Sequence, residues 1–235
     1  WSDEGNVFSG NALYGVQVAA ATTVSNVFRG NRVGTDVSGT FAVPNNYRGF
    51  YLEDAPFNTI GSTNAAERNV ISGNDGSGIE LTGASCHNDV IIGNYIGVDV
   101  TGTNALGDTA GAGVWLSAGA WSNRIGGFQD ALANRIAYNI GGGVGVQDGY
   151  GNLIASNSIY RNGNFGTGLG IDLKADNLPT LNDASDPDGG GNHSQNFPGL
   201  LAVSNLSGGT QLQVTGYLDS AARGGSAIAT AHCRR

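Results

Sequence analysis

A short phrase recurs along the whole chain: a glycine, then apolar-x-apolar, then two runs of Asn-x-apolar. It is clearest from residue 78 to 99, where Gly78-Ile79-Glu80-Leu81 is followed by Asp89-Val90-Ile91 and Asn94-Tyr95-Ile96-Gly97. The phrase opens again at Gly15-Val16-Gln17-Val18, Gly49-Phe50-Tyr51-Leu52, Gly113-Val114-Trp115-Leu116, Gly143-Val144-Gly145-Val146 and Gly170-Ile171-Asp172-Leu173. These glycines step by 34, 29, 35, 30 and 27 residues. Self-similarity at such a period marks a unit that buries its apolar side only by stacking on its neighbours.

The alternating step length implies a two-coil super-repeat. Asn69-Val70-Ile71-Ser72-Gly73-Asn74 echoes the stretch from Asn6 to Asn11, and Asn134 to Asn139 echoes it more loosely; the starts lie 63 and 65 residues apart. Two kinds of insertion make up the difference. One is Thr35 to Thr40 with its counterpart Val98 to Thr103, and the other is Gly61 to Arg68 with Gly126 to Ala133. Without them each coil is about 22 residues long.

The strand segments are short, rich in Val and Ile, and alternate with period two. Gly, Asn, Asp and Ser separate them, and no helical periodicity persists. The pattern predicts an all-β solenoid of about six coils. The pairs Val16/Val18, Phe50/Leu52, Ile79/Leu81, Val114/Leu116, Val144/Val146 and Ile171/Leu173 would point inward as ladders. The recurrent asparagines belong at corners, where Asn tolerates left-handed backbone angles and can bond the Asn one coil away.

The motifs Asn-x-Ile-x-x-Asn-x-Ile-Gly, Thr-Asp-x-x-Gly-Thr and Arg68 to Asn74 resemble those of right-handed parallel β-helix repeat proteins, secreted or surface-attached bacterial proteins related in fold to pectin lyase-like proteins. The resemblance covers about residues 5 to 200. It implies a right-handed parallel β-helix over residues 1–200, closed by an Asp-rich loop. Residues 201–235 would form an irregular or partly β tail, with Thr210 to Leu218 opening a truncated β-sandwich module. The resemblance also implies a secreted or cell-surface location and carbohydrate as partner. A fold of this kind hosts hydrolases, lyases, epimerases and adhesins, and does not choose among them.

Charge narrows the partners. The net charge is −8, and only 13% of residues are charged. Without a basic stripe, nucleic acid and anionic membranes are poor partners. No apolar run is long enough to insert into a bilayer. The chain contains no Met, which suits a mature product or part of a longer chain. Open strands at the solenoid ends would suit end-to-end or side-to-side association. Cys86 and Cys233 fit no metal spacing.

Chemistry is sought on the outward x positions, which stacking aligns about 4.8 Å apart. In order they are Gln17, Tyr51, Glu80, Trp115, Gly145 and Asp172; the next outward row is Ala19, Glu53, Thr82, Ser117, Gln147 and Lys174. Tyr51 and Trp115 would flank Glu80, with Asp54 and Asp148 nearby. Rings suit pyranose faces, and carboxylates can bind hydroxyls or act as acid and base. Glu53, Glu80 and Asp172 are the catalytic candidates; Tyr51, Trp115, Asp54, Gln147, Asp148 and Lys174 are the substrate-binding ones. Glu53 and Glu80 should lie about 8 Å apart, inside the roughly 6.5–9.5 Å window of inverting glycoside hydrolysis. Lys174 is the one basic residue expected on this face, which weakens a lyase or epimerase reading. Non-catalytic glycan binding and a plain structural rod are the alternatives to a hydrolase.

Two other clusters stand out. Asp183, Asp186 and Asp188 precede glycines and resemble a calcium loop, since hard cations want several oxygens in a compact turn. Ser85-Cys86-His87-Asn88-Asp89 offers a nucleophile beside a base, but as neighbours in one turn rather than from separate segments. Asp36 and Asp99 are expected to form turns rather than to bind ions.

Overall fold

A computed structural model describes residues 5–164, 168–184, 189–195, 199–206, 211–218 and 227–234. Its contacts divide the chain into two units, Trp1–Pro179 with Gly190–Asn192, and Thr180–Gly189 with His193–Arg235. No α-helix occurs among the described residues.

The first unit consists of three parallel sheets whose strands stack in register, the arrangement of a parallel β-helix solenoid. The first sheet holds Val7–Phe8, Arg32–Val33, Val70–Ile71, Tyr95–Ile96, Arg135–Ala137 and Ser158–Tyr160. The second holds the glycine-led strands Val16–Ala19, Phe50–Glu53, Ile79–Thr82, Val114–Ser117, Val144–Val146 and Ile171–Asp172. The third holds Val27–Phe28, Thr59–Gly61, Val90–Ile92, Arg124–Gly126 and Leu153–Ala155. Each insertion has its own structure. Gly61 to Arg68 and Gly126 to Ala133 contain single 3₁₀ turns, Ala65–Glu67 and Asp130–Leu132. Thr35 and Val98 each make an antiparallel bridge, to Ala42 and Ala105. Asp36 and Asp99 hold these loops by accepting backbone N–H groups from Thr40 and Phe41, and from Thr103 and Asn104.

The inside is aliphatic. Phe50, Leu52, Ile79, Leu81, Val114, Leu116, Val144 and Val146 are buried from the second sheet, facing Val33, Ile71, Ile96, Ile136 and Ile60, Ile91, Ile125 from the other two. Each contributes roughly 1.5–3 kcal/mol by leaving water. Ile171 departs from its expected inward place and is 43% exposed; its strand is the last in its sheet and pairs on one side only. Glycine precedes the second-sheet strands up to Val144–Val146 because nothing larger fits: a Cβ on Gly113 would lie 2.5 Å from Ile136 Cγ2 and 3.0 Å from the Gly143 carbonyl, whereas one on Gly170, before the last strand, would meet only Ile159 Cγ2 at 3.6 Å.

Three polar ladders run up the stack, one at each corner. They are Asn6–Asn31–Asn69–Asn94–Asn134–Asn157, Asn26–Asn58–Asp89–Asn123–Asn152–Asn192 and Asn11–Asn45–Asn74–Asp108–Asn139–Asn162. In a typical rung both the backbone N–H and Nδ2 of one Asn donate to Oδ1 of the next, as Asn94 does to Asn134 at 2.9 and 3.0 Å. The expected left-handed Asn conformation is corrected here. Among the ladder residues only Asn192 has positive φ, and the turn is taken by the residue before: Gly30, Ser25, Phe57, Asn88, Ser122, Tyr138 and Arg161 all have positive φ. Where the preceding residue takes the bend, the Asn amide is left inside the stack, where buried backbone groups need it.

Two rungs are acidic. Asp89 Oδ1 accepts the Asn58 N–H at 2.7 Å, and Cys86 Sγ lies 3.3 Å from Oδ2. Asp108 Oδ1 accepts the Asn74 N–H and Nδ2 at 2.8 and 3.0 Å. Its Oδ2 fills the place that Nδ2 fills in Asn45, Asn74 and Asn139, against a strand glycine, and has no hydrogen-bond partner. Burial pushes the carboxyl of Asp89 up to about 6 and that of Asp108 up to about 8.

In the second unit, strands Gly199–Leu206, Gln211–Leu218 and Ala227–Arg234 form an antiparallel sheet in that order. The first runs into, and the other two lie in, the tail expected to be irregular or partly β.

Candidate functional site

The outward row of the second sheet is in the expected register: Gln17 pairs with Tyr51, Tyr51 with Glu80, Glu80 with Trp115, Trp115 with Gly145 and Gly145 with Asp172. A cleft of about 430 Å³ lies over this row. Glu80, Trp115, Gly145 and Asp172 form its floor. One wall comes from the turns that lead into the strands, with Tyr47, Arg48, Asp75, Ser77, Gly111 and Gly142; Ala175 and Asn177 also line it.

Trp115 dominates the floor. A Cβ on Gly145 would lie 2.7 Å from Trp115 Cε3 and 2.9 Å from Cζ3, so the six-membered ring rests on the Gly145 backbone. Only glycine leaves room for the ring there. Beside it, Glu80 is 6% exposed and forms an ion pair with Arg48 Nε. The Arg48 guanidinium also covers the Tyr47 ring at 3.9 Å and approaches Tyr51 at 5.1 Å. Tyr51 in turn stacks on Tyr14 at 4.6 Å. Burial, then the nearby Glu53 charge, pushes the Tyr51 phenol above its usual range. Lys174 is therefore not the one cation of this face: Arg48 lines the cleft, whereas exposed Lys174 does not.

The structure brings Glu80, Trp115 and Asp172 together in the cleft, while Tyr51, Glu53, Asp54, Gln147 and Asp148 are outside its lining. Glu53 and Gln147 face solvent. Asp54 and Asp148 brace turns: Asp54 Oδ1 accepts the Ser85 N–H at 3.0 Å, and Asp148 Oδ1 the Gly119 N–H at 2.8 Å. Asp172 does likewise, taking N–H groups from Lys174, Ala175 and Asn177 at 3.1, 2.7 and 2.7 Å. The residues that sequence reasoning missed share a signal. Arg48, Ser77, Ala112, Gly142 and Leu169 each directly precede a strand glycine, and all five line the cleft.

Elsewhere, Ser85 to Asp89 does not form a nucleophilic centre. Cys86 is buried and free, and burial followed by the Asp89 charge pushes its thiol well above the usual range. His87 instead joins an aromatic corner, 5.1 Å from Phe57 and 4.6 Å from Trp121, which stacks on Tyr150 at 5.6 Å. Among the described residues no three His, Cys, Asp or Glu side chains gather to hold a metal ion. Of the calcium candidates, Asp186 and Asp188 lie outside the described residues. No helix is long and apolar enough to cross a membrane among the described residues.

No protein family, curated protein or solved structure matches this chain.

Proposed function

We propose that this chain is a carbohydrate-binding β-helix whose cleft seats an extended saccharide on Trp115 without cleaving it. The observation that carries this reading is the six-membered ring of Trp115 packed against the Gly145 backbone in a cleft lined from several coils. A flat ring beside polar groups suits a pyranose face and its hydroxyls, as ligand sites combine apolar surface with a few placed polar groups. The finer fold assignment belongs to the same proposal: a right-handed helix of about six coils, related to pectin lyase-like proteins and displayed outside the cell.

Binding without cleavage is favoured by how the carboxylates are used. Glu80 is taken up by Arg48. Asp172 is taken up by three backbone N–H groups. Glu80 and Asp172 stand three coil steps apart, about 14 Å, beyond the roughly 6.5–9.5 Å of an inverting acid–base pair. Glu53 is nearer to Glu80 but does not line the cleft. The second reading is glycoside hydrolysis by Glu53 and Glu80; the burial of Glu80 at the cleft floor favours it.

The test is a screen of purified protein on immobilised neutral and acidic polysaccharides, with and without calcium, scored for retention and for release of reducing ends. Retention without release, lost in Trp115→Ala, is expected. Release that Glu80→Gln abolishes would replace binding with hydrolysis. Absence of both would refute a carbohydrate role for the cleft.

A further inference from the structure

The cleft's charges point to its ligand class, on the premise that it binds saccharide. Four charged side chains line it: Arg48, Asp75, Glu80 and Asp172. Arg48 is paired with Glu80 and covered by the Tyr47 ring. Glu80 is almost fully buried. Glu80 already offsets the Arg48 charge through Nε, so a ligand carboxylate reaching the remaining guanidinium N–H groups meets a paired cation rather than a free one. Asp75 and Asp172 are then left without a cation among the lining residues. Asp75 is exposed, with Thr109 Oγ1 donating to its Oδ1 at 3.1 Å. Among the described residues Asp172 accepts only backbone N–H groups, from Lys174, Ala175 and Asn177.

We infer that the cleft selects uncharged and amine-bearing saccharides and rejects uronates. The walls around Trp115 add no counter-charge: Gly111, Ala112, Gly142 and Ser77 are neutral. A uronate lying on Trp115 and Gly145 would bring its carboxylate toward Asp172, the ladder neighbour of Gly145, with the paired Glu80 on the other side of the ring. Like charges brought together in a partly dry cleft oppose binding, whereas an ammonium group there is attracted. Asp75, at the rim, is placed to add to that attraction without being needed for the fold.

The experiment is a glycan array holding neutral, amine-bearing and uronate oligosaccharides of several linkages. It is probed with the full chain and with Trp115→Ala and Asp75→Asn, each checked for native circular dichroism. Titration calorimetry on the best binders follows at low and high salt. Amine-bearing and neutral glycans should bind, with uronates at least about tenfold weaker. Asp75→Asn should lower the advantage of amine-bearing over neutral glycans by about two- to fivefold, and salt should lower it too. Uronates that bind as well as neutral glycans, and are lost in Trp115→Ala, would overturn this inference and leave saccharide binding standing. Binding of no glycan, or binding that both variants retain unchanged, would overturn the inference together with its premise. If Trp115→Ala does not fold, Asp75→Asn and the salt series carry the decision.

Discussion

Asp108→Asn should make the protein more stable, and more so as pH rises. The carboxyl is fully buried at a rung where other coils place an amide, and its Oδ2 lacks a donor. Burial lifts it from its ordinary value of 3.8 to about 8. A carboxyl raised in the folded state binds its proton more tightly there than in the unfolded chain. Stability is therefore lost as pH climbs from about 4 to about 8, at about 1.4 kcal/mol per pH step. Keeping Asp108 neutral costs about 2 kcal/mol at pH 5 and about 4 kcal/mol at pH 7. Asparagine carries no such cost, and its Nδ2 can donate to Asn139 Oδ1, the oxygen that already accepts the Asp108 N–H at 3.2 Å. Urea unfolding of both proteins at several pH values is the assay. Asp89, also raised by burial, is common to both and cancels in the difference. A stability gain that is the same at pH 5 and pH 8, or a loss at both, would refute the reasoning.

Other outcomes follow from the same structure. Asn94→Ala removes an acceptor for Asn69 Nδ2 and donors to Asn134 Oδ1 and the Ile60 carbonyl; it should cost about 2–4 kcal/mol in urea unfolding, whereas Asn26→Ala at the end of its ladder should cost less. Gly145→Ala would push a methyl group against Trp115; it should weaken glycan retention while leaving the circular dichroism spectrum native. Cys86, buried with its thiol raised by burial, should resist maleimide in the native protein and react on unfolding, as read by peptide mass spectrometry.

The outward ladder from Gln17 to Asp172 was legible because a glycine anchors each strand and the period of two leaves one choice of face. Trp115 and Glu80 could therefore be placed beside each other from the repeat alone. Arg48 could not, because its reach depends on side-chain direction in a turn rather than on a strand period. The use of Asp54, Asp148 and Asp172 as turn braces was also hidden: a carboxylate reads the same in sequence whether it faces a ligand or a backbone N–H. The aromatic corner escaped for a positional reason. Phe57 precedes its ladder residue by one place, whereas His87, Trp121 and Tyr150 precede theirs by two.

Along each ladder the backbone N–H or Nδ2 of one residue donates to the side-chain oxygen of the next, so all-asparagine joints one super-repeat apart offer the same donors and acceptors. Asn31 donates to Asn69 as Asn94 does to Asn134. Excising residues 69 to 133 would offer Asn134 to Asn31 as an equivalent acceptor and close the rod on itself one module shorter. That module holds both acidic rungs, Asp89 and Asp108, along with Glu80 and Trp115. The scaffold and its cleft are thus separable cargo: length can be edited in whole modules, and a single edit removes the site while leaving ladders made only of asparagine.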